Sequence, residues 1–133
     1  MPLSKDQARE MAQSFRDIST QLGEYRFRNW GNLSLDQRQS IEDAEWKLLN
    51  YSNEFITTAA GLVLGDIQED LKAISAATAQ AKKVISTINA VKDVMTVSAS
   101  AILFGGAIAS GNYIAIASAS KDLFNTASDI LKK

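Results

Sequence analysis

Residues 4–28, SKDQAREMAQSFRDISTQLGEYRFR, decide how the whole chain is read. Ala8, Met11, Phe15, Ile18, Leu22 and Tyr25 recur at alternating steps of three and four. Such spacing puts all six on one stripe of an α-helix, the seam of a helix packed nearly parallel to its neighbours. Ser4 and Gln7 fit the Ser-x-x-Gln capping box, in which two orphan amides of the first turn are satisfied reciprocally. Leu3, just before the cap, can staple onto Ala8.

Working outward, Asn29-Trp30-Gly31-Asn32 is a turn, and Ser34 with Gln37 repeats the capping box. Ile41, Leu48, Phe55 and Leu62 then recur every seven residues, with Leu49, Ile56 and Val63 as a second row. Gly65 is the expected stop, with Asp66 and Glu69 as the next capping pair. Two helices of about 25 to 30 residues, roughly 40 Å each, joined by a short turn predict antiparallel packing. From Asp66 the stripe continues through Ile67, Leu71, Ile74, Thr78, Ala81, Ile85 and Ile88, and no Gly or Pro intervenes before Gly105-Gly106. A helix from Asp66 to Phe104 would be about 58 Å long, several turns more than its neighbours. Either the small stretch Ser75-Ala76-Ala77-Thr78-Ala79 hides a bend, or the helix projects beyond the bundle. A last helix follows Gly111-Asn112 and runs from Tyr113 to Leu131. Its expected stripe is Tyr113, Ala117, Ser120, Phe124, Ala127 and Leu131, flanked by Ile116, Leu123 and Ile130. The prediction is an all-α antiparallel bundle of four helices, or five if the third is broken. It forms one domain over residues 1–133, with an apolar, Gly-containing C-terminal hairpin.

Composition narrows the function. At 133 residues the chain can bury a core without staples. Fourteen Lys+Arg against fifteen Asp+Glu leave a net charge of -1, so no basic excess favours nucleic acid, and none is expected as a partner. Cys and His are both absent. Thiolate nucleophiles, catalytic triads and the usual zinc and di-iron sites are thereby excluded, and neither enzymatic activity nor a cofactor or metal is expected. Glu42/Asp43/Glu45 and Asp66/Glu69/Asp70 could lend carboxylates to a cation. They read better as a solvated face and a helix N-terminal dipole partner. The opening residues lack a basic stretch leading into an apolar one, so no secretory signal is read there. The default location is cytoplasmic, and signal-independent export would leave no mark.

Two segments stand out. Between Asp93 and Lys121 no charged residue occurs. The centre of that run carries Ile102, Leu103, Phe104, Gly105, Gly106 and Ile108, then Gly111, Tyr113, Ile114 and Ile116. Ala101, Gly105 and Ala109 lie four apart, a spacing that lets helix backbones approach closely. One reading is a buried helical hairpin; the other is a membrane-seeking or assembly tip. Ser98, Ser100, Ser110 and Asn112 argue against a permanent span. From Val84 to Leu131 the pattern resembles the hydrophobic hairpin head of the α-helical pore-forming toxins, which implies insertion of segment 94–120 into lipid. Elsewhere, Tyr25-Arg26-Phe27-Arg28-Asn29-Trp30 interleaves aromatics with arginines. It reads as a helix end that covers the bundle, or as a partner surface built on Tyr25, Trp30 and Trp46. The expected function is non-catalytic: protein-protein binding or self-assembly, with a protein or a second copy as partner and membrane activity as the alternative.

Overall fold

A computed structural model describes residues 3–58, 62 and 67–133, and among these described residues the chain forms five α-helices. They are α1 (Lys5–Arg28), α2 (Leu35–Thr58), α3 (Ile67–Thr87), α4 (Val91–Ser110) and α5 (Tyr113–Leu131). A 3-10 turn at Trp30–Asn32 links the first two, and no strand occurs among the described residues. Both serine caps close reciprocally. Ser4 Oγ accepts from the Gln7 amide at 3.1 Å and Gln7 Oε1 accepts from the Ser4 amide at 2.9 Å. Ser34 and Gln37 repeat the geometry at 3.1 and 2.9 Å. Leu3 and Ala8 are both buried, as a staple requires.

All six stripe residues of α1 are buried, and Phe15 lies at their centre. Its ring meets Phe55 of α2 edge-on at 5.0 Å and Phe104 of α4 at 5.5 Å. One aromatic therefore joins three helices. Buried Ser52 donates to the Ala12 carbonyl and Ser19 donates to the Glu45 carbonyl, each at 2.8 Å. These crossed partners run in opposite directions along the two helices, so α1 and α2 are antiparallel. α3 packs beside α1, α5 beside α3, and α4 between α5 and α2. On α2, Ile41, Leu48 and Phe55 are fully buried, while Ile56 of the second row is exposed. Val63, the expected stop at Gly65 and the expected cap at Asp66 lie outside the described residues.

The third helix neither bends at 75–79 nor projects. Residues 75–79 stay helical, and the break falls at Ile88–Ala90. Chain-local competition and outside help both contribute. The Ser86 and Thr87 hydroxyls donate to the Lys83 carbonyl at 3.2 and 2.6 Å, which loosens the last turn. From α1, Tyr25 Oη donates to the Asn89 carbonyl at 2.6 Å and Arg28 Nη2 to the Ile85 carbonyl at 3.1 Å. Carbonyls that a longer helix would have used are satisfied by α1 instead. The break keeps α3 at 21 residues, about 31 Å, so it ends level with α1.

Two further expectations are corrected. Gly105-Gly106 does not end the helix, which continues to Ser110 and stops at Gly111 in the left-handed conformation, φ 73°. On α5 the core line is Ile116, Ser120, Leu123, Ala127 and Ile130, the row expected only to flank it together with two members of the expected stripe. Tyr113, Ala117 and Phe124 of that stripe are exposed. The helix is rotated because the branched Ile116, Leu123 and Ile130 fill the interior better than Ala117 does.

Candidate functional site

The rotation of α5 leaves an apolar groove on the surface. Tyr113 and Phe124, 40% and 37% exposed, stand as walls on one side. Facing them, α3 presents Ala73 and Ala76, whose methyl groups leave the space between the helices unfilled. The result is an apolar groove of about 350 Å³, floored by Ile74, Ile116 and Ser120, with Asp70 and Lys121 on its rim. A second depression of about 390 Å³ continues it along the same seam, past Phe124 to Gln80, Lys83, Asp129 and Lys132. Gln80 Nε2 reaches Ser128 Oγ at 3.5 Å and holds the two helices in register there.

The apolar run 94–120 divides between core and surface. Phe104, Gly105, Ile108 and Ile116 are buried, Ile102 and Gly106 half-buried, and Gly111 is the exposed turn. Leu103 and Ile114 are the outliers at 73% and 77% exposed. Leu103 shares the outer face of α4 with Lys92, Thr96, Ala99 and Ser110. The inner face, Val94, Val97, Ala101, Phe104 and Ile108, is core. Gly105 is small for a reason: a Cβ there would lie 2.6 Å from Tyr51 Cδ2.

The second candidate surface loses one member and keeps two. Tyr25 is fully buried with its hydroxyl on the Asn89 carbonyl, so it positions the α3–α4 break and meets no partner. Burial pushes its pKa up against the lowering influence of Arg28. Trp30 and Trp46 are exposed. Trp30 stacks on Phe27 at 6.1 Å, and the Arg38 guanidinium lies 4.3 Å over its ring. Arg26 links this end to the first acidic cluster: its Nε donates to Glu45 at 2.7 Å and its Nη1 lies 3.6 Å from Glu42. The Glu45 hydrogen bond, ahead of the charges of Glu45 and Glu42, holds the Arg26 pKa up despite burial. Glu42 and Glu45 thus face a guanidinium, and no group of three metal-holding side chains forms among the described residues.

Sequence reasoning missed the groove because it assigned Tyr113, Ala117 and Phe124 to the core. The available signal was the competing row of larger branched residues one position away. Set against known proteins, the chain matches no family model, no curated protein and no solved structure. Its own residues carry the functional reading.

Proposed function

We propose that the chain is a non-catalytic binding protein whose docking surface is the α3–α5 groove. The groove itself carries this reading: an apolar channel walled by Tyr113 and Phe124 and lined by alanines, open along one side of the bundle. Aromatic walls with small alanines facing them suit the apolar face of a protein helix, which would insert its side chains between the two helices. The lack of His and Cys and the engagement of Glu42 and Glu45 by Arg26 agree with binding rather than catalysis.

Membrane insertion is the second reading, favoured by one observation. α4 is long and apolar enough to cross a membrane by length and composition. Against it, only Leu103 is a large apolar side chain on the exposed row of that helix, and insertion would strip Phe104 and Ile108 from the core. A photo-crosslinking amino acid separates the readings when placed at exposed Ala117, with exposed Thr20 on α1 as control. In the cells that make the protein, docking gives protein adducts from position 117 and none from position 20. Adducts from both positions alike, lipid adducts alone, or none at 117 would overturn the docking reading.

A further inference from the structure

The groove between α3 and α5 is charged as well as apolar, and its charge is not balanced within the chain. Lys121 lines the first depression and Lys83 and Lys132 line the second, and none of the three has an ion-pair partner among the described residues. Against these three cations the lining offers one unpaired acid, Asp129 in the second depression. Asp70, on the rim of the first, already has a partner of its own, as does Glu69 beside it. The surplus is therefore positive, and it lies from the middle of the seam toward Lys83 and Lys132. A second observation comes from the floor. Ser120 is 4% exposed, yet its hydroxyl has no hydrogen-bond partner among the described residues, and it lines the groove next to Lys121. Such a hydroxyl is a ready donor to an acceptor arriving from outside.

We propose that the groove receives an amphipathic helix of another protein, one whose apolar stripe ends in an acidic turn. The inference rests on the docking reading above and gives that partner its chemistry. Large apolar side chains of the partner enter the first depression, between Tyr113 and Phe124 and over the methyl groups of Ala73 and Ala76. Its carboxylates lie over Lys83 and Lys132, and one at the middle of the seam can accept from Ser120 Oγ and Lys121 Nζ together. A basic helix would bring its charges onto three uncompensated lysines. An uncharged helix would leave those lysines and the Ser120 hydroxyl unanswered.

From Asp70 to Lys83 the seam is about 20 Å long at 1.5 Å per residue, room for a helix of about 14 residues. A contact of that size is near the lower limit for a specific interface, so the dissociation constant should be on the order of tens of micromolar.

Two synthetic, helix-stapled peptides of about 14 residues test this by fluorescence anisotropy against the purified full chain at low salt. Both carry the same leucine and phenylalanine stripe; one ends in a glutamate turn, the other in the same turn with lysines. The acidic peptide should bind, and the basic one should bind at least roughly ten-fold more weakly. Lys83→Glu with Lys132→Glu should abolish or invert that preference. Lys5→Glu with Lys47→Glu, the same change of charge at exposed positions on α1 and α2, should leave it intact. Ser120→Ala should weaken the acidic peptide about three-fold and leave the basic one unchanged. Ala76→Trp fills the groove and should remove binding. Circular dichroism melts check that every variant is folded. Equal binding of the two peptides, binding that survives Ala76→Trp, or no binding of the acidic peptide overturns the acidic helix. If position 117 still gives protein adducts after such a failure, the docking reading stands without it; if it gives none, both fall.

Discussion

Replacing Gly105 and Gly106 by alanine, one at a time, should move stability in opposite directions. In a helix interior, alanine is favoured over glycine by about 1 kcal/mol, because glycine loses more backbone freedom on folding. Both residues lie inside α4, so both substitutions start with that gain. At Gly106 the added methyl would meet only Tyr51 Oη, at an ordinary 3.4 Å. The gain survives, and Gly106→Ala should stabilise by about 0.5–1 kcal/mol. At Gly105 the methyl would lie 2.6 Å from Tyr51 Cδ2, 3.0 Å from Cε2 and 3.1 Å from Cγ. The Tyr51 ring cannot retreat freely, since it stacks on Phe55 at 6.0 Å and Phe55 packs against Phe15 at 5.0 Å. Overpacking of this kind costs about 1–3 kcal/mol, which outweighs the helical gain and leaves a net loss of about 1–2 kcal/mol. Circular dichroism melts resolve such changes, at about 3–5 °C per kcal/mol for a domain of this size. A third comparison isolates the cause: in a Tyr51→Ala background the clash is gone, and Gly105→Ala should become stabilising. If both glycines respond alike in the wild-type background, α4 does not lie against α2 as described, and the core assignment of the hairpin fails with it.

Two other substitutions follow from the same packing. Tyr25→Phe removes the 2.6 Å hydrogen bond to the Asn89 carbonyl and should cost about 0.5–1.5 kcal/mol in a denaturant titration. Because burial raises the Tyr25 pKa above 10.0, the folded state holds that proton more tightly than the unfolded chain does. Its contribution is complete below pH 10.0 and is lost as pH rises through the raised value, so Tyr25→Phe should flatten the alkaline decline; an unchanged slope would refute this. On α4, Ile108→Glu buries a charge and should cost several kcal/mol, whereas Leu103→Glu on the exposed row should stay within about 0.5 kcal/mol. Wild type and Leu103→Glu should both remain in solution when floated with anionic liposomes. Flotation of the wild type that Leu103→Glu abolishes would transfer the assignment to the membrane reading.

The helical seams were legible wherever large apolar residues recur without a rival. α1 could be read along most of its stripe, because Ala8 to Leu22 have only small or polar residues beside them. Both capping boxes were legible too, since they depend on two residues three apart. The break at Ile88–Ala90 was not, because no residue there forbids helix. It depends on Tyr25 and Arg28, more than fifty residues upstream, reaching the carbonyls of Ile85 and Asn89. Gly105-Gly106 misled for the converse reason: both keep helical backbone, Gly105 serving the close approach of Tyr51, and the stop falls at Gly111, where φ is positive. α5 offered two apolar rows, and only the shape of the surrounding helices could choose between them. The candidate site lies on the row left over.

That leftover row differs from incidental apolar exposure. Single exposed apolar side chains are ordinary, and Leu103 is one, set among Thr96, Ala99 and Ser110. The groove differs in being contiguous: Tyr113, Ala117 and Phe124 on one helix face Ala73 and Ala76 on the next, over Ile74 and Ile116. Larger side chains at positions 73 and 76 would have closed it within the monomer. Alanine leaves the bundle stable through its inner rows while leaving apolar area outside that folding cannot bury. Covering that area is worth about 25 cal/mol per Å², a gain open only to a surface arriving from outside the monomer. The same alanines that make the groove also make it shallow, so an occupant must bring its own protruding side chains.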